Sequence, residues 1–222
     1  MNLRFLAVLL MLPLSTSVFG SGDRDWPALY GDEIHFDVFR KGERIGDYTT
    51  RFTETGGALQ VDVRMTLSIP ILFGWHYDYR YTATEVWRAG ELARLEVEID
   101  DDGDPTRLSA ESENGVLRGS FNQDSVTVAT PILPTHHYNA DVLGDSRVFN
   151  TLTGKENSIE VIDQGDDVIV SEQGTLQARR YSYTGDLTDT EVWYDREERW
   201  VKMVFLGSDG VPIELRCLRC EQ

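Results

Sequence analysis

The 222-residue sequence has few cysteines, few basic side chains and no long apolar run after its first twenty residues. Its 21 Lys and Arg stand against 38 Asp and Glu, which gives a formal net charge of −17. A surface with this balance repels nucleic acid and anionic lipid headgroups, so neither is an expected partner. The sequence also lacks G-x-S-x-G, H-E-x-x-H, a phosphate-binding loop and a dinucleotide fingerprint. We therefore expect a non-enzymatic protein with no catalytic residues and no cofactor.

The two cysteines, Cys217 and Cys220, stand close to the C-terminus. On an extended strand, residues three apart lie roughly 10 Å apart, so a disulfide between them requires a turn after Leu215. A redox C-x-x-C usually opens a helix of a βαβ unit, and a zinc site requires two further ligands. The open alternatives are structural or free thiols, a disulfide within the tail, an intermolecular disulfide and a metal ligand.

The longest apolar run lies at the N-terminus, where Arg4 precedes residues 5–14 (FLAVLLMLPL) and Val18-Phe19-Gly20 follows. A run of this length forms a helix of roughly 15 Å, which is about half the hydrocarbon thickness of a membrane. We expect residues 1–20 to be a signal peptide that is cleaved near Gly20. Residues 21–222 are then a single periplasmic or secreted domain, and the mature protein has no transmembrane segment.

Alternation of apolar and polar residues dominates the remainder of the sequence. In residues 59–69 every second residue is apolar, as in a strand with one buried face, and pairs such as Lys41-Gly42 and Asp102-Gly103 separate such runs. This spacing predicts an all-β, mainly antiparallel domain of roughly 12–14 strands, arranged as a curled sheet or a β-barrel-like fold. Residues 138–150 lack the alternation, and we expect a short helix or a helix-and-loop excursion there, where the chain crosses between the two halves of the sheet.

One hexapeptide occurs twice, as TATEVW at residues 82–87 and as TDTEVW at residues 188–193. The recurrence suggests one hairpin unit used once in each half of the sheet. A chance match is the alternative, because strands favour Thr, Val and Trp. If Trp87 and Trp193 face one interior, the two hairpins form opposite walls of a single cavity.

An aromatic series indicates a binding surface, since Tyr77, Tyr79 and Tyr81 alternate along one strand and Trp87 continues their phase. Ordinary packing of strand aromatics is the alternative. The adjoining apolar segment 69–75 is either tucked under the fold, the rim of an apolar pocket, or a contact with a partner or membrane. The expected contacts for a lipid-like or other apolar small molecule are Phe73, Trp75, Tyr77, Tyr79, Tyr81, Trp87 and Trp193.

A polar cluster stands at His136, His137 and Asn139. Adjacent side chains on an extended backbone point in opposite directions, so the histidine pair does not suit one metal ion, and we expect no metal site. Acid–base catalysis by one histidine remains an alternative, and it requires a carboxylate in an open cleft.

Several longer motifs carry a family resemblance. They are residues 36–46 (FDVFRKGERIG), 79–81 leading to 85–87, 133–139 (LPTHHYN), 193–195 and 200–202. With these motifs the chain resembles a family of exported bacterial proteins of unknown function over nearly all of the mature sequence. Tyr138 departs from the Trp expected in that family. The chain is also loosely similar to periplasmic half-barrel β proteins, some of which carry lipids, and this resemblance implies a role with a hydrophobic ligand.

The leading hypothesis is an exported β protein that binds an apolar or amphipathic ligand in a concave sheet. The first alternative is an envelope scaffold or interaction module without a small ligand, marked by a filled interior and an exposed apolar loop. The second alternative is a hydrolase-like enzyme that uses His136 or His137.

Overall fold

The computed structural model describes residues 24–171 and 174–220. The expected signal peptide and its cleavage site lie outside these residues. Within them, an α-helix, α1 (Trp26–Tyr30), begins where the Asp25 side chain accepts a hydrogen bond of 2.9 Å from the Ala28 amide. No helix in these two ranges is long and apolar enough to pass through a membrane.

Fifteen strands in the described residues form one sheet. Those before the crossing of the sheet are β1 (Glu33–Arg40), β2 (Glu43–Thr55), β3 (Ala58–Pro70), β4 (His76–Arg88), β5 (Glu91–Asp101), β6 (Asp104–Glu113), β7 (Val116–Phe121) and β8 (Asp124–Ala129). Those after it are β9 (Leu133–Pro134), β10 (Arg147–Asn150), β11 (Lys155–Ser171), β12 (Gly174–Gly185), β13 (Thr190–Tyr194), β14 (Trp200–Leu206) and β15 (Pro212–Arg219).

The first and last strands are neighbours in the middle of the sheet, because β1 pairs with β15. From that junction β2 to β8 follow in order on one side and β14 to β9 on the other. Among the strands that the structure describes, all pairings are antiparallel except the short parallel contact of β9 with β10. The sheet curls without closing into a barrel. The prediction of an all-β, mainly antiparallel curled sheet is confirmed, with slightly more strands than expected.

The two edges of the sheet are joined by the crossing segment, residues 130–154. Near one edge, the Arg147 guanidinium donates to the carbonyl oxygens of Ala129 and Pro131, at 3.1 and 3.0 Å. The turn before β11 lies against the end of β7, since a Cβ added to Gly154 would lie 2.6 Å from the Cβ of Phe121. Side chains and turns therefore close the space between β8 and β10 where no strand pairing does.

The helix expected within residues 138–150 is present only in part. A 3-10 helix covers Ala140–Gly144, and the Asn139 side chain caps it by accepting from the Asp141 amide at 2.9 Å. The remainder is strand β10, because the apolar Val148 and Phe149 are both buried beside β9 and β11.

The concave side of the sheet is filled by the protein's own side chains. Among the largest fully buried residues are Trp200, Tyr138, Phe36 and Phe149. The Trp200 ring lies 4.3 Å from that of Phe36 and 5.3 Å from that of Tyr48, measured between centroids. Apolar positions on alternate residues of each strand thus build a packed core.

The two copies of the hexapeptide face opposite sides of the sheet. Trp87 lies on the concave side, whereas Trp193 lies on the convex side, between the guanidinium of Arg180 and the ammonium of Lys202. In the second copy the inward residue is Val192, which pairs with Met203. The condition for opposite walls of one cavity is therefore not met, because the second copy is shifted by one residue relative to the core.

Cys217 and Cys220 form a disulfide, with their Cα atoms 5.7 Å apart. The expected turn after Leu215 is not what brings them together. Phe36 pairs with Cys217 while His35 pairs with Arg219, so Leu218 is an extra residue on β15. A β-bulge shortens the strand locally and brings the two sulfurs within bonding distance.

Candidate functional site

A carboxylate lies at the centre of the core. Alternation along β4 directs residues 81, 83, 85 and 87 inward, and the Glu85 side chain is 0% exposed. One oxygen of Glu85 accepts hydrogen bonds from the Trp87 indole at 2.6 Å and the Tyr138 hydroxyl at 2.5 Å. The other oxygen is hydrogen-bonded to Nδ1 of His136. A buried carboxylate with three donors has its hydrogen-bonding capacity largely satisfied.

The network continues from His136, in the crossing segment, to Tyr81 on β4 and from there back to the crossing segment at Thr151. Nε2 of His136 lies 2.6 Å from the Tyr81 hydroxyl, which donates to the Thr151 hydroxyl at 2.9 Å. Thr151 and Thr135 are 3.2 Å apart through their hydroxyl oxygens. The inner face of β4 is thereby tied to two separate parts of the crossing segment. We name the side chains of Tyr81, Glu85, Trp87, His136 and Tyr138 the Glu85 network.

The tyrosines of the network remain protonated. Burial raises the pKa of Tyr138 well above its usual range, and the negative charge of Glu85 raises it further. Burial likewise raises the pKa of Tyr81. Both hydroxyls therefore stay available as hydrogen-bond donors at neutral pH.

His137 contacts different partners from His136, as an extended backbone predicts. Its Nδ1 lies 3.3 Å from the Tyr183 hydroxyl, and its carbonyl oxygen accepts from the Tyr194 hydroxyl at 2.8 Å. Burial lowers the pKa of His137 to about 3, with a smaller contribution from the charge of His136. The His137 imidazole is therefore neutral at physiological pH.

A cleft of about 520 Å³ opens at the end of the sheet where the β2–β3 and β4–β5 turns lie. Its apolar wall comes from α1, β3, β4 and the crossing segment, and consists of Trp26, Leu59, Trp87, Leu133 and Tyr138. Its polar lining includes Arg24, Asp25, Glu54 and Asn139.

The Glu85 network positions two of the cleft's aromatic walls, since Trp87 and Tyr138 both donate to Glu85. The Trp26 ring packs edge-on against Tyr138 with centroids 5.2 Å apart. The Tyr30 hydroxyl donates to the Tyr138 carbonyl oxygen at 2.9 Å and accepts from the Trp200 amide at 2.7 Å. These bonds hold the crossing segment and α1 together at the base of the cleft.

The residues expected to contact a ligand do not form one site. Trp87 lines the cleft, and Tyr81 belongs to the buried network. Tyr79 is half-buried farther along β4, and Tyr77 donates to Asp101 at 2.5 Å near the opposite end. Trp193 lies on the convex face.

Phe73 and Trp75 belong to the β3–β4 turn, at the opposite end of the hairpin from the cleft. The hairpin pairs Ala58 with Arg88 at one end and Pro70 with His76 at the other, a length of roughly 40 Å. Phe73 and Trp75 therefore do not line the same cleft as Trp87.

Of the predicted polar cluster, Asn139 lines the cleft, and His136 lies behind it in the Glu85 network. Glu85 and the cleft residues Trp26, Leu59 and Leu133 are not among the site residues predicted from the sequence. A signal for Glu85 was present, because it is a charged residue in the same inward phase as Tyr81 and Trp87. No local sequence pattern marks Leu133, because only the long-range folding of the chain brings it beside the β3–β4 hairpin.

The order carboxylate, imidazole, hydroxyl in Glu85, His136 and Tyr81 is suited to moving a proton. All three side chains are buried in the core, however, and none lines the cleft. The open site required for catalysis by the histidine pair is therefore not formed by the described residues. In residues 24–171 and 174–220, no group of three or more His, Cys, Asp or Glu side chains is placed to hold a metal ion.

A solved structure shares this architecture. It is a β-barrel-like protein of a domain of unknown function (DUF1849) from Brucella abortus, with a TM-score of 0.61 and 8% sequence identity. The alignment covers 85% of this chain and 96% of that one. At this identity the likeness establishes the fold alone. No curated protein matches the chain.

The sequence itself matches a family model over residues 36–218, which include all the motifs that carry the resemblance to proteins of unknown function. That resemblance is confirmed. The chain belongs to the family described as a domain of unknown function, DUF6134.

Proposed function

We propose that this chain is an exported, non-enzymatic binding protein that takes an amphipathic small molecule into the cleft beside α1. The filled concave face argues against the ligand position expected from sequence. The end cleft has a volume of about 520 Å³, within the roughly 300–1,000 Å³ of small-molecule sites.

The observation that carries this proposal is the fixing of Trp87 and Tyr138 by one buried carboxylate. Aromatic walls held by hydrogen bonds at 2.6 and 2.5 Å lose little freedom when a ligand arrives. A site organised before binding avoids the cost of ordering side chains, so more of the contact energy becomes affinity.

The composition of the cleft supports an amphipathic ligand. Leu59, Leu133 and the indole of Trp26 offer an apolar surface for a hydrocarbon chain or ring. Arg24, Asp25 and Asn139 add polar groups to the lining of the same cleft. A molecule with an apolar body and a polar head fits both parts.

The test is calorimetric titration of the full mature domain with dodecanoate and with dodecylphosphocholine, which share a chain and differ in their heads. Leu59→Trp places a larger side chain in the cleft and should abolish saturable binding of the better probe. Leu206→Trp is the matched control on β14, outside the cleft, and should bind as the unmodified protein does. Absence of saturable binding of both probes, or equal binding by Leu59→Trp, would contradict the proposal.

Export is the second part of the proposal, and it is supported by the apolar N-terminal run and the small residues around Gly20. N-terminal sequencing of the protein from the periplasmic fraction of its host should begin near Ser21. A cytoplasmic protein that retains Met1 would contradict export and leave the cleft experiment unaffected.

A further inference from the structure

The β3–β4 turn exposes three large apolar side chains at once. Ile71, Phe73 and Trp75 are 54%, 96% and 72% exposed. We name these three side chains the apolar tip. Single exposed apolar residues are ordinary, but a contiguous group of this kind usually marks an interaction site.

The backbone holds the apolar tip in a defined shape. The Ile71 amide donates to the Trp75 carbonyl oxygen at 2.8 Å and closes the loop. Phe73 has φ of 62°, in the left-handed region that a bulky residue rarely adopts. Almost none of the Phe73 ring is packed against the described residues, so this conformation displays the ring without burying it.

The surroundings of the apolar tip are strongly acidic. The Asp102 amide donates to the Asp78 carbonyl oxygen at 2.8 Å, which brings the β5–β6 turn beside the start of β4. Asp78 lies near the start of β4. Four further aspartates lie in the β5–β6 turn and at the adjoining strand ends, namely Asp100, Asp101, Asp102 and Asp104. The nearby Arg80 is already paired with Asp100 at 3.1 Å.

We propose that the apolar tip docks into a partner protein whose apolar pocket is bordered by Lys or Arg side chains. The aromatic rings supply the buried anchors of such an interface, and the aspartates supply its charged rim. Complementary rim charges accelerate association and select the partner. The proposal is independent of the cleft, which lies at the other end of the β3–β4 hairpin.

The negative charge around the apolar tip argues against two other binding partners, an anionic membrane and a second copy of the chain. An anionic membrane surface repels a cluster of carboxylates, so insertion of the rings into such a membrane is opposed. A second copy of the chain carries the same aspartates and a formal net charge of −17, so self-association through the tip is opposed as well.

The experiment places the photo-crosslinking residue benzoylphenylalanine at position 73 of the full chain in its native host. The same residue at Leu152, an exposed apolar position in another turn, is the matched control. We expect one protein adduct at position 73 and not at 152. Its cross-linked peptide should contain or adjoin Lys or Arg in the partner.

Charge dependence separates specific docking from capture by exposed rings. The variant Asp78→Asn with Asp102→Asn should lower the yield of the adduct, while Glu111→Gln with Glu113→Gln, an equal charge change elsewhere, should not. With the captured partner in purified form, Phe73→Ser should weaken binding by about thirtyfold, as for a central aromatic anchor. An adduct that is insensitive to the aspartates, a self-adduct, or no adduct at position 73 would overturn the proposal.

Vesicles of phosphatidylcholine, alone or with phosphatidylglycerol, test the membrane directly. We expect no co-sedimentation with either composition, and sedimentation that Phe73→Ser abolishes would establish a membrane occupant instead. Phe73→Ser should keep its binding of the cleft probes, so the two proposals can fail separately.

Discussion

The carboxylate of Glu85 and the imidazole of His136, 51 positions apart in sequence, are hydrogen-bonded to each other inside the core. Their contact joins β4 to the crossing segment. A buried carboxylate is costly unless its oxygens are satisfied, and here Trp87 and Tyr138 complete its set of donors. The stability of the fold and the shape of the cleft therefore depend on the same side chain.

Replacing Glu85 with Leu should destabilise the protein by about 3–5 kcal/mol, because the donors on Trp87, His136 and Tyr138 lose their acceptor in the core. The measurement is urea denaturation, with the midpoint and its slope compared with those of the unmodified protein.

The matched control is Glu191→Leu, in the other copy of the hexapeptide. Glu191 is bonded to Arg180 on the partly exposed convex face, where an ion pair contributes about 1 kcal/mol or less. Equal losses for the two variants would contradict the assignment of opposite faces.

His137 should make the protein less stable as the pH falls. Its pKa is about 3 in the folded state against an ordinary value of 6.5, so below pH 6.5 the unfolded chain binds a proton that the folded chain does not. Stability that is present above pH 6.5 is therefore lost as the pH falls towards 3, by up to about 1.4 kcal/mol per pH unit.

Denaturation between pH 7 and pH 5 checks this, in a range where most carboxylates do not yet titrate. The variant His137→Gln should show a shallower dependence, whereas His76→Gln, at an exposed position, should behave as the unmodified protein. Parallel curves for His137→Gln and the unmodified protein would contradict the burial of a neutral imidazole.

Gly46→Ala should be strongly destabilising. A Cβ on Gly46 would lie 1.8 Å from the carbonyl oxygen of Thr66, so β2 or β3 must move, at a cost of about 1–3 kcal/mol or more. Gly144→Ala is the control, because a Cβ there meets nothing within 4 Å. Thermal unfolding of both variants compares the two positions, and an unchanged melting temperature for Gly46→Ala would contradict the close approach of the strands.

The disulfide should add modestly to stability. Cys217 and Cys220 close a very short loop, for which chain entropy predicts about 2 kcal/mol. Replacing both cysteines with serine should lower the urea midpoint accordingly. A reducing agent should lower the midpoint of the unmodified protein and leave that of the double variant unchanged, and no effect on either would contradict a disulfide in solution.

The sequence is sufficient to predict the strands, but it does not predict which distant strands and side chains contact each other. Alternation depends on neighbouring residues alone, so it correctly predicts strands over Leu59 to Ile69 and Tyr77 to Tyr81. The pairing of β1 with β15, and of Glu85 with His136, depends on how the whole chain folds back. No local pattern specifies which inward residues of distant strands become neighbours.

The sequence of the second hexapeptide likewise does not predict which of its side chains point into the core. In β13 the buried neighbours of Val192, and the bulge between Trp193 and Tyr194, determine which residues point inward. A single-residue offset is enough to exchange the two faces. The disulfide shows the same limit, since the bulge at Leu218 is a property of the β1–β15 pair.

The opposite phases of the hexapeptides have a consequence for anyone comparing relatives of this chain. A substitution pattern at Glu85 will reflect hydrogen bonding in a dry interior, whereas one at Glu191 will reflect a salt-sensitive contact with Arg180 at the surface. Treating the two as equivalent positions of an internal duplication would average two unrelated selective pressures. Each copy is therefore best aligned and mutated as a separate site.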